Sequence, residues 1–130
     1  MSEQHPSRFG RVMGEEALVD GLLRALRSRD RRALARTLHR RVTLVGDTGS
    51  GSGVSARGRR ATVAALFALC APDAAVELAR VNGHAGLLLR NPTGGVVGVL
   101  AVAVLRDRVS EIWATLAPEK LETWGKRLPT

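Results

Sequence analysis

The strongest constraint on the fold is a series of four strand-like segments, separated by very short breaks, in the second half of the chain. The segments cover residues 75–82, 85–90, 95–105 and 108–116, and the breaks between them read GH, NPTG and RD. Breaks of this length allow only hairpin connections, so consecutive strands have to run antiparallel. The sequence therefore predicts a four-stranded antiparallel meander.

Helical segments dominate the first half of the chain. Residues 15–28 carry an apolar stripe at helical spacing, and Asp30 stands where it can cap a second, short helix. The β-branched segment RVTLV at residues 41–45 predicts a strand, and residues 59–71 predict a third helix. Three helical segments before a meander predict an α+β fold in which a curved antiparallel sheet wraps around the helices. We expect one domain over residues 15–124, with a disordered tail at residues 1–14 and a short tail at residues 125–130.

The composition fits one domain in a reducing compartment. With 130 residues, 45% of them apolar, the chain can bury one core of ordinary size. Cys70 is the only cysteine, which excludes an internal disulfide, and its apolar surroundings predict a buried, unreactive thiol. No apolar stretch is long enough to span a membrane, and residues 1–14 contain no signal-peptide core. We therefore expect a cytoplasmic protein.

The formal net charge of +8 is concentrated in the first third of the chain. Residues 1–41 hold ten arginines against five acidic residues. A basic patch can bind phosphate backbones. However, the arginines of LLRALRSRDRRALARTLHRR alternate with leucines at helical spacing, and no aromatic side chain stands among them to stack on a base. We therefore favour a solvated helix face and expect no membrane partner. Nucleic-acid binding through the arginine-rich helices is the less favoured alternative, and it predicts an affinity that falls steeply with salt.

A glycine-rich segment, LVGDTGSGSGVSARG at residues 44–58, lies between the first strand and the third helix. A Walker-type phosphate loop needs a lysine after its last glycine, and Ser52 stands in that place. The looser dinucleotide pattern matches at Gly51, Gly53 and Ala56, but that fold requires parallel βαβ units, and here the helix leads into hairpins. The segment is therefore interpreted as a flexible loop in which Asp47 is the residue of chemical interest.

Four motifs, taken in order, resemble a known domain. VTLVGDTGSG, RVNGHAGLLLR, GVVGVLAVAV and EIWATLAPEKL are similar to the SnoaL-like domain, of the nuclear transport factor 2-like type, at the C-terminus of one group of extracytoplasmic-function sigma factors. In that family a loop follows the first strand, VNG starts a hairpin, and a further motif closes the last strand. Residues 47–51, 81–83 and 117–121 correspond to these motifs. The resemblance implies a cone-shaped sheet that the helices close on one side, around an apolar pocket.

Three departures limit what the resemblance implies. The lysine of the family's loop is absent, Ala117 replaces the asparagine of the last motif, and the chain has no room for the sigma-factor DNA-binding regions. The resemblance thus implies a free-standing relative, or an excised domain, that does not itself recognise a promoter. In the sigma factors this domain is implied to regulate the polymerase-binding regions by contact, and that role need not carry over.

Asp47 and His84 are the candidate catalytic residues if the domain is an enzyme. Ketosteroid isomerases of this superfamily use a tyrosine in the oxyanion hole, and this chain contains no tyrosine. In sites similar to that of limonene epoxide hydrolase, an arginine joins two aspartates. Asp47, with Arg57 or Arg90 as its partner, approaches this arrangement. A second carboxylate is harder to find, because Glu77 and Glu111 are more typical of a solvated sheet face.

The resemblance and the residue types together predict a ligand pocket lined by six residues: Asp47, Arg57, Phe67, Asn82, His84 and Trp113. Several of them also fit a plainer role. Asn82 and His84 belong to a hairpin tip, and Trp113 in a strand is typical of a core or a dimer interface. His39 is expected at a helix end. The spacing of the histidines predicts no metal site, and no cofactor is expected.

Two functions are the main hypotheses. The first is a small-molecule-binding or regulatory module without assigned catalysis, related to sigma-factor regulation. Such a module would form a homodimer through its sheet and would bind an unidentified apolar small molecule or a protein partner. The alternative is a small-molecule enzyme of the polyketide cyclase, isomerase or hydrolase kind that uses Asp47 and His84. An enzyme would place these two groups in a closed cavity, so their positions in the structure distinguish the two functions.

Overall fold

The helices precede an antiparallel meander, as the sequence predicts. The structure is a computed structural model that describes residues 6–48 and 53–116, with the side chains described from residue 14 onward. In chain order its elements are α1 (Pro6–Ser28), α2 (Arg31–Thr37), β1 (Leu38–Asp47), β2 (Val54–Arg57), α3 (Gly58–Leu69), β3 (Ala75–Val81), β4 (His84–Arg90), β5 (Val96–Leu105) and β6 (Arg108–Thr115).

The helix boundaries follow local chemistry, with one correction at the start of the chain. The carboxylate of Asp30 accepts a hydrogen bond from the backbone N–H of Ala33 at 3.1 Å, which confirms the predicted cap of α2. Helix α1 begins at Pro6, so part of the expected N-terminal tail is helical. Proline suits a first helical position because the N–H there needs no partner. Residues 1–5 and the expected tail at residues 125–130 lie outside the described residues.

The six strands form one sheet in the order β2-β1-β6-β5-β4-β3. The predicted hairpins are antiparallel throughout, whereas β1 lies parallel to β6 and makes the sheet mixed. Strand β1 is also longer than predicted, and His39 is its second residue rather than a helix end. The Nδ1 atom of His39 accepts a hydrogen bond from the backbone N–H of Arg41 at 3.0 Å.

The glycine-rich segment is a hairpin in part, which corrects its interpretation as a loop. Its first residues end β1 and its last residues form β2, which pairs antiparallel with β1 from Thr43 opposite Arg57 to Gly46 opposite Val54. Gly53 permits this close approach, because a Cβ atom there would lie 2.5 Å from the backbone oxygen of Gly46. Residues 49–52, between the two strands, lie outside the described residues.

One face of the sheet packs against the helices and forms the core. The register shifts in three strand pairs, at β1–β6, β4–β5 and β5–β6, and irregularities of this kind bend a sheet. The core side chains come from the inner face and from all three helices; the largest fully buried ones include Leu22, Leu34, Leu44, Leu66, Leu87, Leu100 and Ile112. Among the described residues, no helix has both the length and the apolar character that a membrane crossing needs.

Two arginines join the C-terminal end of α1 to its neighbours. The Arg27 guanidinium donates to the backbone oxygen of Val76 in β3, from Nε at 3.0 Å and from Nη2 at 2.7 Å. Arg29 donates to the backbone oxygens of Cys70 at 2.6 Å and Phe67 at 3.2 Å, and its guanidinium lies 4.6 Å from the centre of the Phe67 ring. Part of the basic first third is therefore structural, since these cations satisfy carbonyl groups at element ends.

Candidate functional site

The structure does not bring the two candidate catalytic residues together. Asp47 ends β1 in register with Thr115 of β6, and that row continues through Val99 of β5 to Leu88 of β4. His84 lies on β4 as well, four residues before Leu88. The separation amounts to three strand spacings, about 14 Å, together with about 13 Å along the strand. No direct proton transfer can join these groups, so the acid–base pair of the enzyme hypothesis is not formed.

His84 contacts a helix instead. Its Nδ1 atom lies 3.3 Å from a carboxylate oxygen of Glu15 in α1, and its side chain is 67% exposed. The other carboxylate oxygen of Glu15 accepts a hydrogen bond from the backbone N–H of Ala85 at 3.5 Å. Glu15 thus connects the β3–β4 hairpin to α1 through Ala85, and the imidazole of His84 lies against the same carboxylate.

The other predicted pocket residues occupy separate places. Asn82 is exposed and has φ +52°, which fits its role in the β3–β4 turn. Phe67 is half-buried on α3, where the guanidinium groups of Arg29 and Arg31 lie 4.6 Å and 5.4 Å from its ring centre. Arg57 and Trp113 lie on strands β2 and β6. The six residues thus lie on different elements of the fold: β1, β2, α3, the β3–β4 turn, β4 and β6.

Aliphatic side chains from the helices and the sheet fill the space between them. Leu44, Leu87, Leu100 and Ile112 point inward from four adjacent strands and are at most 1% exposed. The hydroxyl group of Thr62 on α3 is also buried, and it has no hydrogen-bond partner among the described residues. The predicted apolar interior is therefore a packed core, in which close packing stabilises the fold.

The thiol of Cys70 is chemically quiet, as its apolar context predicts. It is buried at the C-terminal end of α3. Burial raises its pKa to about 11, because desolvation disfavours the thiolate, and the nearby Arg29 cation opposes this only in part. The group stays protonated near neutral pH and is therefore a poor nucleophile.

The outer face of the sheet carries an exposed apolar row at its centre. Val45 of β1, Trp113 of β6 and Ala101 of β5 lie side by side in register. Trp113 is 44% exposed and Val45 is 53% exposed, although both lie on interior strands. We call Val45, Trp113 and Ala101 the outer strip.

A second surface is strongly basic. Arg31 and Arg32 of α2 and Arg59 and Arg60 of α3 surround a depression of about 590 Å³, and Ala35 and Val63 complete its lining. All four arginines are exposed. We call this depression the α2–α3 groove. The sequence analysis considered only the arginines of the first third of the chain, which include Arg31 and Arg32. The second Arg-Arg pair, Arg59 and Arg60, could have indicated the other side of the groove.

The curved sheet, the three helices and the meander define a protein of the nuclear transport factor 2-like fold. No family model and no curated protein matches the chain. Among solved structures it is similar to the extracytoplasmic function sigma factor SigJ of Mycobacterium tuberculosis, with 22% identity and a TM-score of 0.62 over 88% of this chain and 47% of that one. The chain thus spans about half the length of that sigma factor.

Two smaller proteins are matched over most of their length. An NTF2-like protein of unknown function from Mesorhizobium loti has 18% identity and a TM-score of 0.65, over 82% of this chain and 93% of that one. RV0760c of Mycobacterium tuberculosis, solved in complex with estradiol-17beta-hemisuccinate, has 17% identity and a TM-score of 0.51, over 78% and 92%. The resemblance predicted from the motifs is confirmed at the level of the fold.

Proposed function

We propose that this protein is a regulatory binding module that acts by contact through its surfaces and forms a homodimer across the outer strip. The observation that carries this proposal is Trp113, a large aromatic side chain that is 44% exposed in the middle of the sheet. Tryptophan is over-represented among the residues that dominate binding energy at protein interfaces. Val45 and Ala101 on either side of it provide the apolar surround that such a contact needs.

The charges around the outer strip favour a second copy as the occupant. Arg57, Thr43 and Glu111 form the row next to the strip, and Asp47 begins the row on its other side. This face therefore carries both signs of charge. In a two-fold interface each patch meets its own copy, so cations of one protomer can face carboxylates of the other.

The relation to sigma factors suggests what such a module regulates. The chain has the fold and about half the length of SigJ, and it carries the motifs that resemble the sigma-factor-associated domain. A domain of this kind would act on a transcription protein by contact, as the resemblance implies for the sigma-factor-associated domain. This role requires no reaction inside the cone.

Light scattering coupled to size-exclusion chromatography tests the dimer. We expect a mass of twice the 13.9 kDa chain. Trp113→Thr should return the mass to that of one chain, because threonine keeps the strand propensity and removes the apolar anchor. The matched control is Leu105→Thr, which removes another half-exposed apolar strand residue outside the strip. A wild-type mass of one chain, or a Trp113→Thr protein that remains dimeric, would contradict the proposal.

A small-molecule ligand is a second candidate, and a separate depression favours it. Leu78, Ala79 and Ala85 form its apolar lining with Glu16 and Arg80, and its volume of about 440 Å³ falls within the range of small-molecule sites. RV0760c, of the same fold, was solved with a steroid derivative. Native mass spectrometry of the purified protein should show an added small mass that is lost on denaturation. Leu78→Arg should abolish this added mass if the depression holds the ligand.

A further inference from the structure

The α2–α3 groove is formed by the most basic stretch of the chain. Between Arg31 and Arg60 the chain carries eight arginines and a single acidic residue, Asp47. All eight arginines are exposed. None of them forms an ion pair with any carboxylate in the part of the chain that the structure describes. The remaining four lie beyond the groove, on α2, β1 and β2: Arg36, Arg40, Arg41 and Arg57.

The arginines of the groove are placed against the local electrostatic preference. Arg59 and Arg60 stand in the first turn of α3, which contains no acidic residue and receives no side-chain cap from Arg57. A helix N-terminus carries partial positive charge, so cations there are unfavourable by a few tenths of a kcal/mol each. Residues that break a local rule in this way are characteristic of functional surfaces. A bound anion would relieve the repulsion.

Some of these cations are already held in place. The Nε atom of Arg59 donates to the backbone oxygen of Leu38 at 2.9 Å, which leaves the terminal nitrogens of its guanidinium available. The guanidinium of Arg31 lies 5.4 Å from the centre of the Phe67 ring. Restricting these side chains in advance lowers the entropy that binding has to overcome.

We propose that the α2–α3 groove binds the phosphate backbone of a nucleic-acid duplex. Guanidinium groups bind phosphates in a bidentate manner, and a surface of one sign suits a polyanion. The lining contains no aromatic side chain on which an unpaired base could stack, which favours a duplex over a single strand. It also has no large apolar anchor of the kind found at protein interfaces, which argues against an acidic protein.

The α2–α3 groove differs from the outer face of the sheet in its charge. The outer face of the sheet carries both signs of charge, whereas the α2–α3 groove carries only cations. Like charges prevent the groove from meeting its own copy. The two surfaces therefore serve different occupants, and the failure of either proposal leaves the other intact.

Fluorescence anisotropy with a labelled duplex of mixed sequence, about 20 base pairs long, tests the proposal on the full chain. If four phosphates are neutralised, the logarithm of the affinity should fall with the logarithm of salt concentration at a slope of about −3.6. The affinity should then drop about 100-fold between about 50 and about 200 mM KCl. Binding that is absent at the lower concentration, or that ignores salt, would refute the proposal.

A pair of double variants separates the groove from the net charge. Arg32→Gln with Arg60→Gln should reduce the salt slope by about 2 and weaken binding at least about tenfold at low salt. Arg106→Gln with Arg108→Gln removes the same charge at the β5–β6 turn and should leave the affinity within about twofold. Circular dichroism checks that both variants are folded. Equal weakening by the two would mean that net charge alone attracts the duplex, and the proposal would fail.

Two further ligands identify the polyanion. A labelled single strand of the same length should bind more weakly than the duplex, and so should a polyglutamate peptide. Tighter binding of the single strand would overturn the choice of duplex. Tighter binding of the peptide, lost in the Arg32→Gln and Arg60→Gln protein, would assign the groove to an acidic protein partner instead.

Discussion

At the scale of single residues, the same side chain serves different purposes in different places. Arg27 and Arg29 donate to backbone carbonyls and hold α1 against β3 and α3. Arg24 pairs with Asp20 along the same helix at 3.1 Å. Arg32 and Arg60, in contrast, point into a groove without a carboxylate partner among the described residues. All of these residues are arginines, and only their surroundings separate those that hold elements together from those that we propose to bind a ligand.

The buried thiol gives a prediction at this scale. The folded protein holds the pKa of Cys70 at about 11, whereas the unfolded chain ionises near 9. The unfolded state therefore loses its proton first, and the stabilisation is complete below about pH 9 and is lost as the pH rises through about 11. We expect the urea midpoint, measured under reducing conditions, to fall over this range.

Few other side chains of this protein ionise in the pH interval in which Cys70 does. The chain contains no tyrosine and only two lysines. A Cys70→Ala protein should be less stable overall, because a small cavity remains, and its alkaline decline should be shallower than that of the wild type. Parallel declines in the two proteins would show that the thiol is not the responsible group.

At the scale of elements, the short breaks were the most informative part of the sequence. They determined three antiparallel pairings without any knowledge of the core, because connections of two to five residues between consecutive strands form hairpins. The pairing of β1 with β6 was not predictable in this way. Those strands are about 60 residues apart in the chain, and their parallel contact depends on how the helices fill the curved sheet.

Gly86 gives a prediction about the meander. A Cβ atom at this position would lie 2.6 Å from the backbone oxygen of Leu100 and 2.6 Å from a methyl carbon of Val81. The backbone of β5 cannot yield without disturbing the hairpins, so Gly86→Ala should lower the free energy of unfolding by at least about 2 kcal/mol. Urea unfolding followed by circular dichroism measures the change.

A glycine in a helix provides the matched control. In α1 a Cβ atom at Gly21 would lie 3.6 Å from the nearest side-chain atom, a methyl of Thr37, which is ordinary contact. Gly21→Ala should therefore raise the free energy of unfolding by about 0.5–1 kcal/mol, because alanine loses less backbone entropy in a helix. If both substitutions destabilise equally, steric crowding at Gly86 is not the cause.

At the scale of the whole molecule, the charge is distributed unevenly. Residues 31–60 account for +7 of the formal net charge of +8. Apolar contact surface is placed elsewhere, at the outer strip on the opposite side of the core from the helices. Under the two proposals, the basic groove and the mixed outer face would hold different partners at the same time.

This distribution predicts a salt-dependent stability. Repulsion among the clustered arginines destabilises the folded state, and salt screens it over about 10 Å at about 0.1 M. We expect the Tm to rise by a few degrees as KCl is increased, since about 1 kcal/mol corresponds to about 4 °C in a domain of this size. Differential scanning fluorimetry measures this rise. The Arg32→Gln and Arg60→Gln protein should show a smaller rise, and an equal rise would argue against the groove as its source.

The sequence by itself determined the fold class, the meander, the cap at Asp30 and the buried state of Cys70. Each of these depends on local spacing, on turn length or on the polarity of near neighbours, which are properties of short segments. It did not determine strand β2, the parallel pairing of β1 with β6, or the separation of Asp47 from His84. Tertiary structure alone decided these, because they depend on which distant segments the packed core brings side by side. For the same physical reason, two arginine pairs far apart in the chain became one groove.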